Sequence, residues 1–230
     1  MQEDDENRIY VPGLPVVFLD VDTQKDFILQ DGRLSIKGAE TIVPNLAKLS
    51  KYSAENLVFW LATMDSHILE DVEISSAPDF KTTFPPHCLS KSAGEERIPE
   101  TFRNNPLILD MQLQSLDKTW PNLEANYDSI CFKKNNIDVF SNKNLDRLLN
   151  LIKPKVLVVF GVATDFCVKL AVEGLLIRNF KVVLVKDAVY AIDKDAEMNL
   201  LGDWECQGVR LMTTDQVINL NPDEFESVFR

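Results

Sequence analysis

One stretch, Val156-Leu157-Val158-Val159-Phe160-Gly161-Val162-Ala163-Thr164-Asp165-Phe166-Cys167-Val168, constrains the fold of this chain more than any other. Residues 156 to 160 are β-branched or bulky, and the run is too short for a helix. They read as a strand buried on both faces, the kind found inside a parallel sheet. The run breaks at Gly161 and restarts as a helix reaching about Arg178, for which Thr164 or Asp165 is the expected cap. Cys167 then falls in the first turn of that helix, where unpaired N–H groups and the dipole favour an anion and lower a thiol pKa. Such a cysteine is either a nucleophile or a small buried hydrophobe, and the rest of the chain must decide.

A chain of 230 residues fits one α/β domain with a large core. Its formal net charge of −12 and lack of clustered Lys and Arg argue against nucleic acid as a partner. No apolar run approaches a membrane span, so no membrane association is expected. The acidic start Met1-Gln2-Glu3-Asp4-Asp5-Glu6 is unlike a secretory signal. A cytoplasmic protein with reduced thiols is expected, because its four cysteines form no CxxC pair.

Residues 1–13 are expected to be a flexible acidic arm, leaving 14–230 as the domain. Val16 to Val21 is the first strong strand and exits into Asp22-Thr23-Gln24-Lys25-Asp26-Phe27. A helix from about Ala39 to Ser53 follows, then a strand from Leu57 to Ala62 that exits at Met64-Asp65-Ser66-His67. Between Ile68 and Asn126 lies a long, proline-punctuated excursion, of a length that is usually functional. Further strands are read at 129–133, 181–186 and 209–212, with helices marked by Leu145, Leu148, Leu149 and Ile152 and by residues 195–206. The Cys167 helix is apolar nearly all round, which points to burial, partly against a second copy in a homo-oligomer. Strands alternating with helices imply right-handed βαβ units. The expectation is an α/β fold of three layers, α-β-α, around a six-stranded, mostly parallel, Rossmann-like sheet.

In such a sheet the strand ends lie along one edge, where ligands bind. Asp22, Lys134 and Cys167 all fall there. A carboxylate can take a thiol proton and return it to a leaving amine, and a lysine beside both favours their charged forms.

These segments resemble the isochorismatase-like cysteine hydrolase family, which includes nicotinamidases (pyrazinamidases). Asp22-Thr23-Gln24-Lys25-Asp26-Phe27 is similar to the family's D-x-Q-x-D-F and selects Asp22 over Asp20. Lys134 with Phe140 matches its lysine motif and selects Lys134 over Lys133. Gly161 to Val168 matches G-V-A-T-D-x-C-V in full. The resemblance spans roughly residues 14–214. It implies an amide hydrolase in which Cys167 attacks the carbonyl, Asp22 shuttles the proton and Lys134 polarises the pair. It also implies a cis peptide between Val162 and Ala163, and an oxyanion hole from the N–H groups of Ala163 and Cys167.

Asp65-x-His67 and Phe84-Pro85-Pro86-His87-Cys88 are similar to the metal motif of nicotinamidases. The resemblance therefore implies a divalent metal, zinc first and Mn or Fe next, held by Asp65, His67 and His87. No third histidine exists, so the fourth ligand is expected from Asp79 or Glu73, or from water. Phe27 and Phe84 match the aromatic positions that would pack on a small-molecule amide such as nicotinamide. After His87 the chain departs from the family's H-C-x-x-G-T-x-G, with Lys91 standing where the first glycine is usual.

Overall fold

The computed structural model describes residues 13–114 and 126–230; the expected N-terminal arm lies almost wholly outside them. Three strands form the centre of the sheet: β1 (Val17–Val21), β2 (Phe59–Asp65) and β5 (Val156–Val162). Every residue in them is buried, as continuous apolar runs require. With β3 (Pro106–Leu109), β4 (Ser129–Lys134), β6 (Lys181–Tyr190) and β7 (Arg210–Met212) they make a seven-stranded sheet of order β3-β4-β2-β1-β5-β6-β7. All the pairings are parallel. The sheet has one strand more than the six expected. β3 has four residues, begins with proline and sits half-exposed at the edge, where proline costs no ladder bond, so it leaves little trace in the sequence. β6 also runs beyond the expected Lys186, because a register shift between Val159 and Gly161 lets pairing resume at Val189.

Side chains alternate along each strand and so divide into two layers. Val17, Leu19 and Val21 of β1 face α3 (Lys143–Ile152), α4 (Cys167–Ile177) and Trp204 of α5 (Lys194–Cys206). Phe18 faces the other way, into the layer of Phe27 and Ile28 of α1 (Lys25–Ile28), Leu46 and Leu49 of α2 (Val43–Glu55) and Val217 of α6 (Thr214–Ile218). The helix expected from Ala39 starts as a 3-10 turn, Ala39–Ile42, and becomes α2 with Pro44 in its first turn. Val168, Ala171, Val172 and Leu175 of α4 are buried within the chain, whereas Ile177 is 79% exposed. No helix among the described residues is long and apolar enough to cross a membrane.

Register carries the fold to the site. Val21 pairs with Gly161, so the residues after both strands emerge side by side, and Asp65 pairs with Lys134 across β2 and β4. Gly161 is required here: its φ is +118°, and a Cβ would lie 2.0 Å from the Val21 carbonyl oxygen.

Candidate active site

The strand ends bring Asp22, Lys134 and Cys167 together. Lys134 Nζ lies 2.9 Å from Asp22 Oδ2 and donates to Cys167 Sγ at 3.4 Å. It also makes a short hydrogen bond to Asp65 Oδ1. All four side chains are buried. Thr63, one strand over, donates to Asp22 Oδ1 at 2.7 Å and fixes the carboxylate from its other side. Sequence reasoning missed Thr63, whose only signal is its place two residues before Asp65 on the same face of β2.

Two expectations at Cys167 are corrected. Neither Thr164 nor Asp165 caps α4: the Thr164 hydroxyl donates to Glu197, and the Asp165 carboxylate accepts from the backbone of Ile192 and Asp193. The thiol pKa is raised rather than lowered. Burial pushes it well up, Lys134 pulls it down, and the neighbouring Asp22 and Asp65 push it up again. Burial likewise raises Asp22 against the pull of Lys134, while Asp65 is held below the usual carboxylate range because Lys134 and both imidazoles outweigh its burial. Both the thiol and the Asp22 carboxylate thus have pKa values shifted up from their ordinary ones, with Lys134 opposing each shift.

The peptide between Val162 and Ala163 is cis, as the resemblance implied. The Cys167 N–H opens α4 and has no acceptor within the helix. The Ala163 carbonyl turns away to accept from Phe166 and Val168.

Next to this cluster, Asp65, His67, Glu73 and His87 are all buried, with one ligand atom from each lying within 4.8 Å of the others. Of the two acids expected as candidates, Glu73 lies in this cluster. Asp79 is exposed and stands elsewhere, its carboxylate closing a turn on the N–H groups of Lys81, Thr82 and Thr83, which lower its pKa. The histidines are oriented as metal ligands are. His67 Nδ1 meets Asp71 at 3.2 Å and His87 Nδ1 meets the Pro85 carbonyl at 2.8 Å, which leaves each Nε2 directed at Asp65 Oδ2. His67 Nε2 is buried with no hydrogen-bond partner, the kind of orphan a bound cation would satisfy. Two imidazoles and two carboxylates suit Zn²⁺, Mn²⁺ or Fe²⁺, so the residues fit a divalent metal.

One pocket opens onto both clusters, lined by Cys167, Asp65, Glu73 and His87 and walled by Phe27, Phe84 and Phe166. Phe27 lies 5.4 Å from the His87 ring, and Phe84 packs edge-on to Phe166 at 5.6 Å. Both expected aromatic residues line the pocket. Phe166, which the sequence offered only as the variable residue before the cysteine, is a third.

Comparison with known proteins gives the family and supports the fold. The family model described as Isochorismatase domain matches residues 16–216. This chain belongs to the isochorismatase family. Its relatives include the nicotinamidase/pyrazinamidase of Mycobacterium tuberculosis, 24% identical over 202 residues, covering 84% of this chain and 95% of that protein. Solved structures of the same fold include the pyrazinamidase of Pyrococcus horikoshii in complex with zinc, with a TM-score of 0.68 at 21% identity, covering 86% of this chain and 99% of that one. The N-carbamoylsarcosine amidase of Thermoplasma acidophilum matches with a TM-score of 0.64 at 22% identity, covering 87% and 96%. As an isochorismatase-family hydrolase, the chain carries the family's D-x-Q-x-D-F residues in structural roles as well. Gln24 bonds both the N–H and the carbonyl of Asp65, and the Asp26 carboxylate ties Arg33 N–H to Cys88 N–H.

Proposed function

We propose that the protein is a metal-containing amidase that hydrolyses nicotinamide to nicotinate and ammonia through a thioester on Cys167. The observation that carries this reading is the buried Asp65, His67, Glu73 and His87 cluster opening into the same aromatic-walled pocket as Cys167. Asp22 accepts the Cys167 proton as sulfur attacks the amide carbonyl. The developing oxyanion is received by the N–H groups of Ala163 and Cys167. When the C–N bond breaks, Asp22 returns the proton to the leaving nitrogen and ammonia departs. Water, deprotonated by Asp22, then attacks the thioester, releasing the acid and restoring the thiol. Lys134 stays charged throughout, and its contact with both Asp22 and sulfur stabilises whichever of them carries the negative charge. Asp65, His67, Glu73 and His87 would hold the metal, zinc first, which supplies an electrophilic anchor for a ring nitrogen. Phe27, Phe84 and Phe166 supply ring-packing surfaces.

A second reading is a carbamoyl- or ureido-amide hydrolase with the same triad. It is favoured by Lys91, which stands beyond His87 in place of the family's glycine, and by the likeness to N-carbamoylsarcosine amidase. The experiment that separates the readings is ammonia release from nicotinamide by zinc-loaded protein, beside Cys167→Ala and a chelated sample. Release abolished in both controls supports the first reading. No release from the loaded wild type refutes it, and release from a ureido substrate instead supports the second.

A further inference from the structure

The groups assigned above sit on several separate segments, so something must hold those segments in register. Glu95, in the excursion between β2 and β3, is buried and bonds to four of them. Its Oε1 accepts from Ser66 Oγ at 2.6 Å and from Lys133 Nζ at 2.8 Å. Its Oε2 accepts from the Lys91 N–H at 2.5 Å, and its carbonyl from Gln24 Nε2 at 2.8 Å. Ser66 lies between Asp65 and His67, Lys133 precedes Lys134, Lys91 follows His87 by four residues, and Gln24 follows Asp22 by two. One residue thus bonds a neighbour of Asp22, of His67, of His87 and of Lys134. Lys91 has a φ of +65° that glycine would adopt without strain, and the bond from its N–H to Glu95 fixes that turn.

We infer that Glu95 is a positioning residue, the carboxylate that sets His67, His87 and Lys134 against one another without touching substrate or metal. This rests on the site reading above. Three charge-assisted or short hydrogen bonds converge on the carboxylate, and glutamine cannot accept all of them, because its amide nitrogen is a donor.

The test is Glu95→Gln in a Cys206→Ser background, which removes the exposed thiol. It is compared with Leu148→Ala, a core change in α3 that lowers stability without touching this network. Two quantities are read besides melting temperature: zinc affinity, and the rate at which iodoacetamide alkylates Cys167 in chelated protein at fixed pH. Expected for Glu95→Gln are zinc binding ~10–100-fold weaker, as for other residues that orient metal ligands, and alkylation slowed by at least about threefold. Leu148→Ala, at an equal or larger loss of melting temperature, should leave both within about twofold. If Glu95→Gln matches wild type in both quantities, or Leu148→Ala reproduces its shifts, the inference is overturned. Should Glu95→Gln not fold, Ser66→Ala and Lys133→Met each remove one partner and must give smaller shifts in the same direction. A wild type that fails to bind zinc would sink the metal reading alone, and Glu95 would then be judged on alkylation.

Discussion

Replacing Lys134 with methionine removes the ammonium shared by Asp22, Asp65 and Cys167 while keeping most of the side-chain volume. The cost can be worked from burial. Asp22 and Asp65 are at most 1% exposed, so once the cation is gone one carboxyl more than in the wild type must take up a proton to stay inside. The unfolded chain, whose aspartates titrate near ~3.9, does not bind that proton at neutral pH. The folded variant then holds one proton more than the unfolded state, so stability falls as pH rises, by about 1.4 kcal/mol per unit above ~3.9. Relative to wild type the loss is ~1.5 kcal/mol near pH 5 and ~4 kcal/mol near pH 7, a large part of the ~5–15 kcal/mol typical of a domain. Urea unfolding of metal-free wild type and Lys134→Met across that range reads this directly, with no assumption about substrate. A difference that stays flat with pH and below ~1 kcal/mol would mean that the carboxylates are solvated, and the buried-cluster account of the site would fall.

Three other outcomes follow from the same geometry. Glu73→Gln should weaken zinc binding by ~10-fold or more in a competition titration with a chromogenic chelator, whereas Asp79→Asn should leave it unchanged; the reverse would restore Asp79 as the ligand. In chelated Cys206→Ser protein, alkylation of Cys167 should climb with pH through a midpoint above the ordinary thiol value of 9.0, and a midpoint below it would contradict the raised thiol. Gly161→Ala should cost more than ~2 kcal/mol in denaturant unfolding, because its Cβ would meet the Val21 carbonyl at 2.0 Å; a near-neutral result would mean that β1 and β5 separate freely.

Legibility in the sequence followed the range of the interactions. β1, β2 and β5 were readable because a strand buried on both faces must be a continuous apolar run, and their ends pointed to Asp22, Asp65 and Cys167. β3 was not, since an edge strand that begins with proline and is half-exposed needs no such run. The caps expected at Thr164 and Asp165 failed because tertiary partners outbid local ones: Glu197 and the 192–193 backbone bind those side chains instead. The choice between Asp79 and Glu73 was open in the sequence, where both are acids in the same loop. In the fold, Asp79 bonds its own neighbours in a turn and Glu73 lies beside the histidines, an arrangement that only tertiary contacts could reveal. Glu95 had no signal at all. Its partners come from four separate segments, and only the folded sheet edge brings them to one carboxylate.

The least legible feature is that the two halves of the site are not separate. Asp65 reads in sequence as one ligand in a D-x-H pair, yet its Oδ1 bonds Lys134 while its Oδ2 faces both imidazoles at 3.7 and 3.9 Å. Parallel pairing makes this unavoidable, because Asp65 and Lys134 are register partners and cannot be drawn apart without breaking the β2–β4 ladder. A charge at the histidine cluster therefore alters how strongly Asp65 competes for the ammonium that also serves Asp22 and the thiol. A cation held by that cluster would draw on Asp65 and leave Lys134 freer to stabilise negative charge on Asp22 or sulfur, which would lower the thiol pKa that burial has raised. A thiol pKa raised by burial is thus consistent with a hydrolase: Lys134, which pulls that pKa down, is shared with Asp65, the carboxylate that also faces the histidine cluster.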